Sequence, residues 1–318
     1  MKNDSTPVIS DSWIKSLRGK KNKVDWQRPY HWLVEKERSE KGEIVDTATI
    51  FLTNKECPFN CLMCDLWKNT TNVSVPERAI PMQIEWALNQ VSGARQVKLY
   101  NSGSFFDTKA IPDCDYPKIA LLLHKFETVI VESHARLINE KVLNFKEMLK
   151  PRLEVAIGLE TVHEGILEKL NKQMTLRDFE HSVSYLIANG IGVRAFVLLK
   201  TPFMTEEEGV FWAKKSIDFA FQSGVECCTI IPVREGNGAM EHLSATGHFS
   251  RLVLASLESV LEYGISLKKG RVFADLWDAR LFNTCDSCFE PRLSRLEAMN
   301  ASQEILKPVD CFCNIKFF

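Results

Sequence analysis

The chain has 318 residues, of which 45% are hydrophobic and 25% are charged, and this composition excludes a collagen, a coiled coil and a wholly disordered chain. Forty basic against 41 acidic residues give a formal net charge of −1, so no global basic field indicates a nucleic-acid partner, although a local basic patch is still allowed. Residues 1–13 contain no apolar core of an export signal, and no run of 18 apolar residues occurs. We therefore expect a cytoplasmic protein with no membrane partner, in which the clustered cysteines among the ten bind metal or take part in redox chemistry.

Short β-branched runs alternate along the chain with stretches of helical periodicity. The runs predict strands at 44–54, 96–102, 128–133, 153–160, 192–199 and 226–233. The periodic stretches predict helices at 81–91, 117–126, 139–149, 175–189 and 205–222, and a further helix at 250–263. Six strands with five intervening helices predict repeated βαβ units, and hence an α/β fold whose parallel sheet can curve into a barrel.

Two strands alternate in a way that predicts an occupied barrel interior. One face of the strand at 153–160 is apolar, whereas the other face reads Glu-Ala-Gly-Glu and is too small and too acidic to pack beneath a helix. That face ends at Glu160, and the strand at 192–199 is followed by Lys200, another charge at a carboxyl end. Sites on parallel α/β folds lie at this end, so both residues are candidates; the alternative is that they are surface residues after strands.

Three cysteines, Cys57, Cys61 and Cys64, follow the first predicted strand with the spacing C-x3-C-x2-C. Three thiolates can hold three corners of a four-iron, four-sulfur (4Fe–4S) cubane and leave one iron without a protein ligand. The loop offers no fourth cysteine and no histidine, which disfavours a structural zinc site because such a site needs four ligands. Zinc binding and inert cysteines are the alternatives.

With this motif after a strand and before a βα series, residues 44–233 resemble the radical S-adenosylmethionine (radical SAM) superfamily. The resemblance implies a partial (β/α)6 TIM-like barrel in which Cys57, Cys61 and Cys64 bind a 4Fe–4S cluster and the open iron binds SAM. It implies reductive cleavage of SAM to a 5′-deoxyadenosyl radical, which abstracts hydrogen from a substrate. It also implies an electron donor such as flavodoxin or ferredoxin.

The same resemblance assigns cofactor contacts to the loop and to the strand ends. The predicted cofactor-binding set is Met63, Ser102, Gly103, Ser104, Glu132, Glu160 and Lys200. Met63 stands where family members often carry an aromatic residue against the adenine. Residues 102–104 match the motif that receives the methionine amino group, but they read Ser-Gly-Ser instead of Gly-Gly-Glu, and a plain strand-to-helix turn is the alternative. The two glutamates resemble the polar residues that contact the ribose and methionine moieties.

Five strings indicate a subgroup of this superfamily. The strings at 99–107, 131–133, 156–161, 190–202 and 232–240 resemble the radical-SAM subunit of archaeosine synthase and, more distantly, the radical-SAM core of the Elongator catalytic subunit. Both families act on transfer RNA (tRNA), which implies tRNA as a partner, and the archaeosine comparison implies a partner enzyme subunit. His134 stands where this group tends to carry an arginine, so the contact made by that arginine is either lost or shifted to Arg136. No acetyltransferase domain is expected after the barrel.

Four further cysteines form two close pairs near the end of the chain. Cys285 and Cys288 form a C-x2-C pair, Cys311 and Cys313 form a C-x-C pair, and 22 residues separate the pairs. Four thiolates suit a tetrahedral zinc site, which would help to fold a short tail. A second iron–sulfur cluster uses the same ligands, and a tail without metal is the third alternative.

The composition changes on both sides of the barrel and predicts three segments. Residues 1–43 form a basic and aromatic N-terminal extension, 44–269 the radical SAM core, and 270–318 a small Cys-rich C-terminal tail. From Lys15 to His31 there are six basic residues and one acidic residue, with Trp26, Tyr30 and Trp32 in or beside the run. This mixture suits RNA contact, since cations bind phosphate and aromatic rings stack on unpaired bases. A solvated charge run with tryptophans docked on the barrel is the alternative.

Three functions fit these patterns. The leading one is a radical SAM enzyme of tRNA or RNA modification, which rests on the archaeosine-synthase-like strings and the basic extension. The second is a radical SAM enzyme that acts on a peptide or small metabolite, and the near-neutral charge mildly favours it. The third is a non-catalytic iron–sulfur scaffold or electron carrier, which would not bind SAM.

Overall fold

A curled sheet is the centre of the protein, as shown by a computed structural model that describes residues 7–311 and 313. Its strands are β1 (His31–Arg38), β2 (Ile44–Phe51), β3 (Gln96–Tyr100), β4 (Thr128–Ser133), β5 (Arg152–Glu160), β6 (Gly192–Leu199), β7 (Cys227–Pro232) and β8 (Arg271–Ala274). They lie side by side in chain order. β1 is antiparallel to β2, and every later neighbouring pair is parallel.

Helices connect the strands and cover the outer face of the sheet. They are α1 (Asp11–Ser16), α2 (Ala79–Leu88), α3 (Tyr116–Leu122), α4 (Glu140–Met148), α5 (Glu164–Lys169), α6 (Leu176–Ala188), α7 (Glu206–Gln222), α8 (Ala239–Ala245), α9 (Leu254–Ser266) and α10 (Asp286–Ser302). Capping boxes begin α6 at Thr175 and α7 at Thr205. The apolar face of β5, with Val155 and Ile157 fully buried, packs into the main core beneath these helices. All the predicted strands and helices are present.

Charged side chains fill one end of the barrel interior, the end at which the parallel strands begin. Arg194 on β6 donates to Glu154 on β5 at 2.7 Å and to Glu37 on β1 at 2.7 Å, and all three side chains are buried. Because β1 and β6 are not neighbours in the sheet, the bond from Arg194 to Glu37 crosses the interior. Burial opposes ionisation of Glu37, yet Arg194 and Lys98 lower the pKa of its carboxyl to about 2. We call this group the floor network.

The predicted α/β partial barrel is confirmed, and the sheet also extends past both ends of the predicted core. β1 lies within residues 1–43, and β8 lies within residues 270–318. α10 contacts both of these strands, which are the two edges of the sheet. The division into three segments stays a prediction, although the sheet crosses both of its boundaries. Within the described residues, no helix is long and apolar enough to cross a membrane.

Candidate active site

The loop with Cys57, Cys61 and Cys64 follows β2 and therefore lies at the carboxyl edge of the sheet, where parallel α/β proteins place their sites. Cys61 is buried, and the other two cysteines are half-buried. Burial raises the pKa of each thiol to about 12, while the nearby ammonium of Lys172 acts in the opposite direction on all three. A cation bound among the thiols would favour the thiolate form that iron requires.

Neighbouring segments hold the cysteine loop in place. The side-chain amide of Asn237 donates to the carbonyl oxygens of Leu62, at 2.7 Å, and Cys64, at 3.1 Å. The ring of Phe59 stacks on His134, with the ring centroids 3.7 Å apart. His134, the residue that departs from the subgroup, thus has a packing role against the loop. These contacts come from the segments that follow β4 and β7, so several parts of the barrel position the thiols.

Glu132 organises the turn that follows β3. Its carboxylate accepts hydrogen bonds from the backbone N–H groups of Asn101, at 2.6 Å, and Gly103, at 3.4 Å. Burial raises the pKa of Glu132 to about 7, although the N–H groups of this turn oppose the shift. A β-carbon added at Gly103 would lie 3.2 Å from the β-carbon of Cys57. The structure therefore brings together the first cysteine, the predicted amino-group motif and the first predicted glutamate.

The two serines of the motif are also engaged. The hydroxyl of Ser102 hydrogen-bonds that of Tyr30 at 3.1 Å, and the hydroxyl of Ser104 accepts from the backbone N–H of His134 at 2.9 Å. Tyr30 lies in the predicted extension, and its contact with the site was not expected from the sequence. Three strand ends carry non-glycine residues in the left-handed region, with φ of 54° at Ser102, 65° at Glu160 and 56° at Lys200. Such strain concentrates at functional sites.

Glu160 is paired with a residue that the sequence reading missed. Its carboxylate lies 2.5 Å from the ammonium of Lys172, and both side chains are buried. A β-carbon at Gly158 would collide with both groups, so the small residue on the inner face of β5 makes room for the pair. Lys172 stands in an irregular segment after α5, where no periodic or motif signal marks it.

Lys200 and Met63 make contacts of a different kind. The Lys200 ammonium bonds the Ser250 hydroxyl at 2.7 Å, the Arg251 carbonyl at 3.0 Å and a carboxylate oxygen of Glu206 at 2.9 Å. These partners use its three donors, so the contacts favour a structural role, and the cofactor role stays a prediction. Met63 is half-buried and packs beside the second apolar cluster of the protein, which includes Leu62 and Met240.

The residues at this edge fit an open iron–sulfur cluster with SAM. Asn101 is fully buried, and neither its amide nitrogen nor its side-chain oxygen has a hydrogen-bond partner among the described residues, which suits contact with a polar ligand. A cubane binds each thiolate on a separate iron, so three thiols are enough to hold an open cluster.

Aromatic side chains form a continuous surface on the inner side of the sheet above the floor network. This aromatic wall consists of Tyr30, His31, Phe51, Tyr100, Phe196 and Trp277. Neighbouring ring centroids lie 5.4–6.2 Å apart, for example 6.1 Å between Phe51 and Tyr100 and 5.4 Å between His31 and Trp277. Trp277 is 61% exposed, so the wall reaches solvent. The sequence did not reveal it, because its members come from distant strands and loops.

Part of the predicted basic segment is bound to the cysteine loop by ion pairs. Arg18 and Lys21 form ion pairs of 2.6 and 2.7 Å with Glu56, the residue before Cys57. Lys20 and Lys23 are exposed. The segment therefore lies beside the candidate site, with some of its cations bound within the chain and others facing solvent.

The four C-terminal cysteines come together, as their spacing predicts. The sulfur atoms of Cys285 and Cys311 are 3.8 Å apart, and those of Cys288 and Cys313 are 3.5 Å apart. The four sulfur atoms lie within 4.8 Å of one another. This second cysteine site can hold a metal ion.

Comparison with known proteins agrees with this geometry. The chain is 25% identical over 338 residues to an uncharacterised protein of Methanocaldococcus jannaschii, covering 96% of this chain and 92% of that one. It is 31% identical over 166 residues to archaeosine synthase subunit beta of Thermococcus kodakarensis, covering 49% of this chain and 51% of that one. The matched region thus spans about half the length of that curated subunit. No family model matches the chain.

Superposition on solved structures identifies the fold of this protein. Methylornithine synthase (PylB) superposes with a TM-score of 0.54 at 13% identity, covering 79% of this chain and 68% of that one. Elp3 of Methanocaldococcus infernus superposes with a TM-score of 0.50 at 15% identity, covering 70% and 59%. Both are radical SAM enzymes. This protein therefore has the fold of the radical SAM enzymes and is a sequence relative of archaeosine synthase subunit beta, which confirms the resemblances drawn from its cysteine motif and from the five strings.

Proposed function

We propose that this protein is a radical SAM enzyme of tRNA modification, in which Cys57, Cys61 and Cys64 hold a 4Fe–4S cluster. The observation that carries the proposal is the convergence of Cys57 with Gly103 and Glu132 at the carboxyl edge of the sheet. Three thiols without a fourth ligand suit an open cluster, and the adjacent turn offers polar groups to SAM. When bound, the cluster and SAM supply reductive cleavage and a 5′-deoxyadenosyl radical for hydrogen abstraction.

The residues of the chain bind and orient the cluster and SAM. Glu132 shapes the turn at 101–103 through its two backbone hydrogen bonds, and the unpaired amide of Asn101 is available to the amino or carboxylate group of SAM. Glu160 faces the same edge with its charge balanced by Lys172. The buried surroundings of these groups exclude water, which protects a reactive radical from side reactions.

An RNA base is the substrate class that the surroundings favour. Rings of the aromatic wall lie above the floor network on the same inner surface, and exposed aromatic residues stack on unpaired bases. Exposed Lys20 and Lys23 beside the cysteine loop suit phosphate groups. The relationship to archaeosine synthase subunit beta supports the same substrate class. Because that relative is one subunit of an enzyme, it also supports a partner enzyme chain for this protein. An electron donor such as flavodoxin or ferredoxin would supply the reducing equivalent.

Anaerobic turnover tests the proposal. The protein, reconstituted with iron and sulfide, reduced and given SAM, is expected to form 5′-deoxyadenosine. The variant Cys61→Ala should lose both iron and product, whereas Cys114→Ala, which removes an exposed cysteine outside both clusters, should keep them. Absence of 5′-deoxyadenosine from a fully loaded wild-type protein would overturn the enzyme assignment and leave a non-catalytic iron–sulfur scaffold. Deuterium carried from labelled tRNA into the nucleoside would identify RNA, and deuterium from a peptide or metabolite instead would overturn the RNA assignment.

A further inference from the structure

The second cysteine site has an arrangement that selects among metals. Cys285 precedes α10 and Cys288 lies in its first turn, while Cys311 and Cys313 follow the helix in the chain and lie close to both. The two sulfur–sulfur distances across the site are 3.8 and 3.5 Å, and no pair among the four exceeds 4.8 Å. The site is separate from the cysteine loop in sequence and uses none of its residues.

We propose that these four thiolates bind a single tetrahedral zinc ion, independently of the iron–sulfur cluster. A zinc–sulfur bond of about 2.3 Å in a tetrahedron sets the sulfur atoms about 3.8 Å apart, which is the spacing found here. A second cubane would spread its four thiolates over four iron atoms and would need them farther apart. The spacing therefore favours one metal ion over a second cluster, and a complete set of four thiolates is typical of structural zinc.

The surroundings of the site suit the negative charge of four thiolates around one divalent ion. The guanidinium of Arg292, one turn along α10, lies beside the sulfur of Cys288. The Nε–H of Arg292 donates to the two carboxylate oxygens of Glu258 on α9, at 3.1 and 3.2 Å. The positive end of the helix dipole points at Cys285 and Cys288. Outer groups of this kind orient metal ligands and stabilise their charge.

The zinc site is linked to the cysteine loop through a brace of charged residues. The segment that leads into Cys285 carries Asp278, which forms an ion pair with Arg234. Arg234 also donates to Asp65, at 2.7 Å, and Asp65 directly follows Cys64. By fixing Cys311 and Cys313 to the start of α10, the zinc ion would hold the segment with Asp278 in position. The role of the zinc ion is therefore to position this segment and not to take part in catalysis.

Metal analysis and X-ray absorption test the proposal on the full chain. Protein purified anaerobically from cells supplied with both metals should contain about one zinc per chain, with four sulfur neighbours at about 2.3 Å at the zinc edge. The double variant Cys311→Ser/Cys313→Ser should lose the zinc. Cys61→Ala should lose iron and keep the zinc, and Cys114→Ser should keep both.

The outcomes separate this inference from the proposed function. Zinc without iron would leave the zinc site standing and overturn the radical SAM assignment, whereas about four iron atoms without zinc would do the reverse. About eight iron atoms per chain would mean a second cluster and would overturn the zinc site. Two disulfides and no metal, found by counting free thiols in denatured protein, would overturn it as well. Because the wild-type zinc content and absorption spectrum decide the matter, poor folding of the double variant does not affect the test.

Discussion

At the scale of single residues, Gly103 shows why the site needs a small side chain. A β-carbon at this position would lie 3.2 Å from the β-carbon of Cys57, which is tighter than an ordinary contact, and relieving it would displace the proposed cluster ligand. Overpacking of this kind typically costs about 1–3 kcal/mol. We therefore expect Gly103→Ala to weaken SAM binding by about tenfold to a hundredfold, as measured by titration of the reconstituted protein.

The matched control is Gly19→Ala. A β-carbon at Gly19 meets no atom within 4 Å, and its backbone is not in the left-handed region, so the substitution should leave SAM affinity and iron content unchanged. Equal affinity of the Gly103→Ala variant and the wild type would show that the turn at 101–103 does not approach the cofactor.

The residues of the candidate site could be found from the sequence, but their tertiary partners could not. Cys57, Cys61 and Cys64 form a local motif whose spacing carries the chemistry, and Glu132 ends a recognisable strand. Lys172 stands in an irregular segment and reaches the site through tertiary contacts, and no local pattern records such a position. The spacing of the C-terminal cysteines predicts that the four come together, but it does not show that the sulfur of Cys285 lies beside that of Cys311.

At the scale of structural elements, the floor network ties β1, β5 and β6 together. Arg194 is about 2% exposed and is the shared partner of Glu37 and Glu154. Replacing it with methionine would remove a buried cation from both carboxylates, leaving Glu37 with Lys98 and Glu154 with Arg271. Breaking a buried ion pair in this way typically costs about 3–5 kcal/mol of unfolding free energy. We expect Arg194→Met to lower the denaturation midpoint strongly when unfolding is followed by circular dichroism.

The pH dependence of this loss has a defined sign. Folding lowers the pKa of Glu37 from its ordinary value of 4.5 to about 2, so its contribution to wild-type stability is present above pH 4.5 and is lost as the pH falls toward 2. The difference between wild type and Arg194→Met should therefore be largest near neutral pH. Arg95→Met is the matched control, because Arg95 also bridges two glutamates but is 42% exposed, so its loss should leave the denaturation midpoint nearly unchanged. Similar costs for the two variants would contradict a stabilising floor network.

The floor network also explains which strands the sequence could not predict. β1 reads His-Trp-Leu-Val-Glu-Lys-Glu-Arg, and its two glutamates face the charged interior instead of an apolar core, so apolar alternation fails as a signal. β8 has only four residues and begins with Arg271, which bonds Glu154 at 2.7 Å. The six strands that were predicted carry β-branched residues packed under helices, and there the periodic pattern is a sufficient guide.

At the scale of the whole molecule, a net charge of −1 means that attraction to RNA must come from local groups. The N-terminal segment provides them beside the candidate site. Asn22 donates its backbone N–H to Lys68 at 2.8 Å, and Lys21 is paired with Glu56, so this stretch is anchored along the cysteine loop. Lys20 and Lys23, on either side of these anchors, remain exposed to solvent. Their position suits the phosphates of an RNA whose base enters the barrel.

Charge reversal at these two lysines separates an RNA surface from a merely solvated one. The double variant Lys20→Glu/Lys23→Glu should weaken tRNA binding and reduce the slope of log affinity against log salt by about two, because each lost phosphate contact releases one counterion fewer. Formation of 5′-deoxyadenosine without RNA should not change, since neither side chain belongs to the cofactor site. The control Lys268→Glu/Lys269→Glu reverses two exposed lysines just before β8, at the opposite end of the barrel, and alters net charge equally. If both double variants weaken binding to the same degree, the attraction is a general effect of net charge, and the N-terminal segment is not an RNA-binding surface.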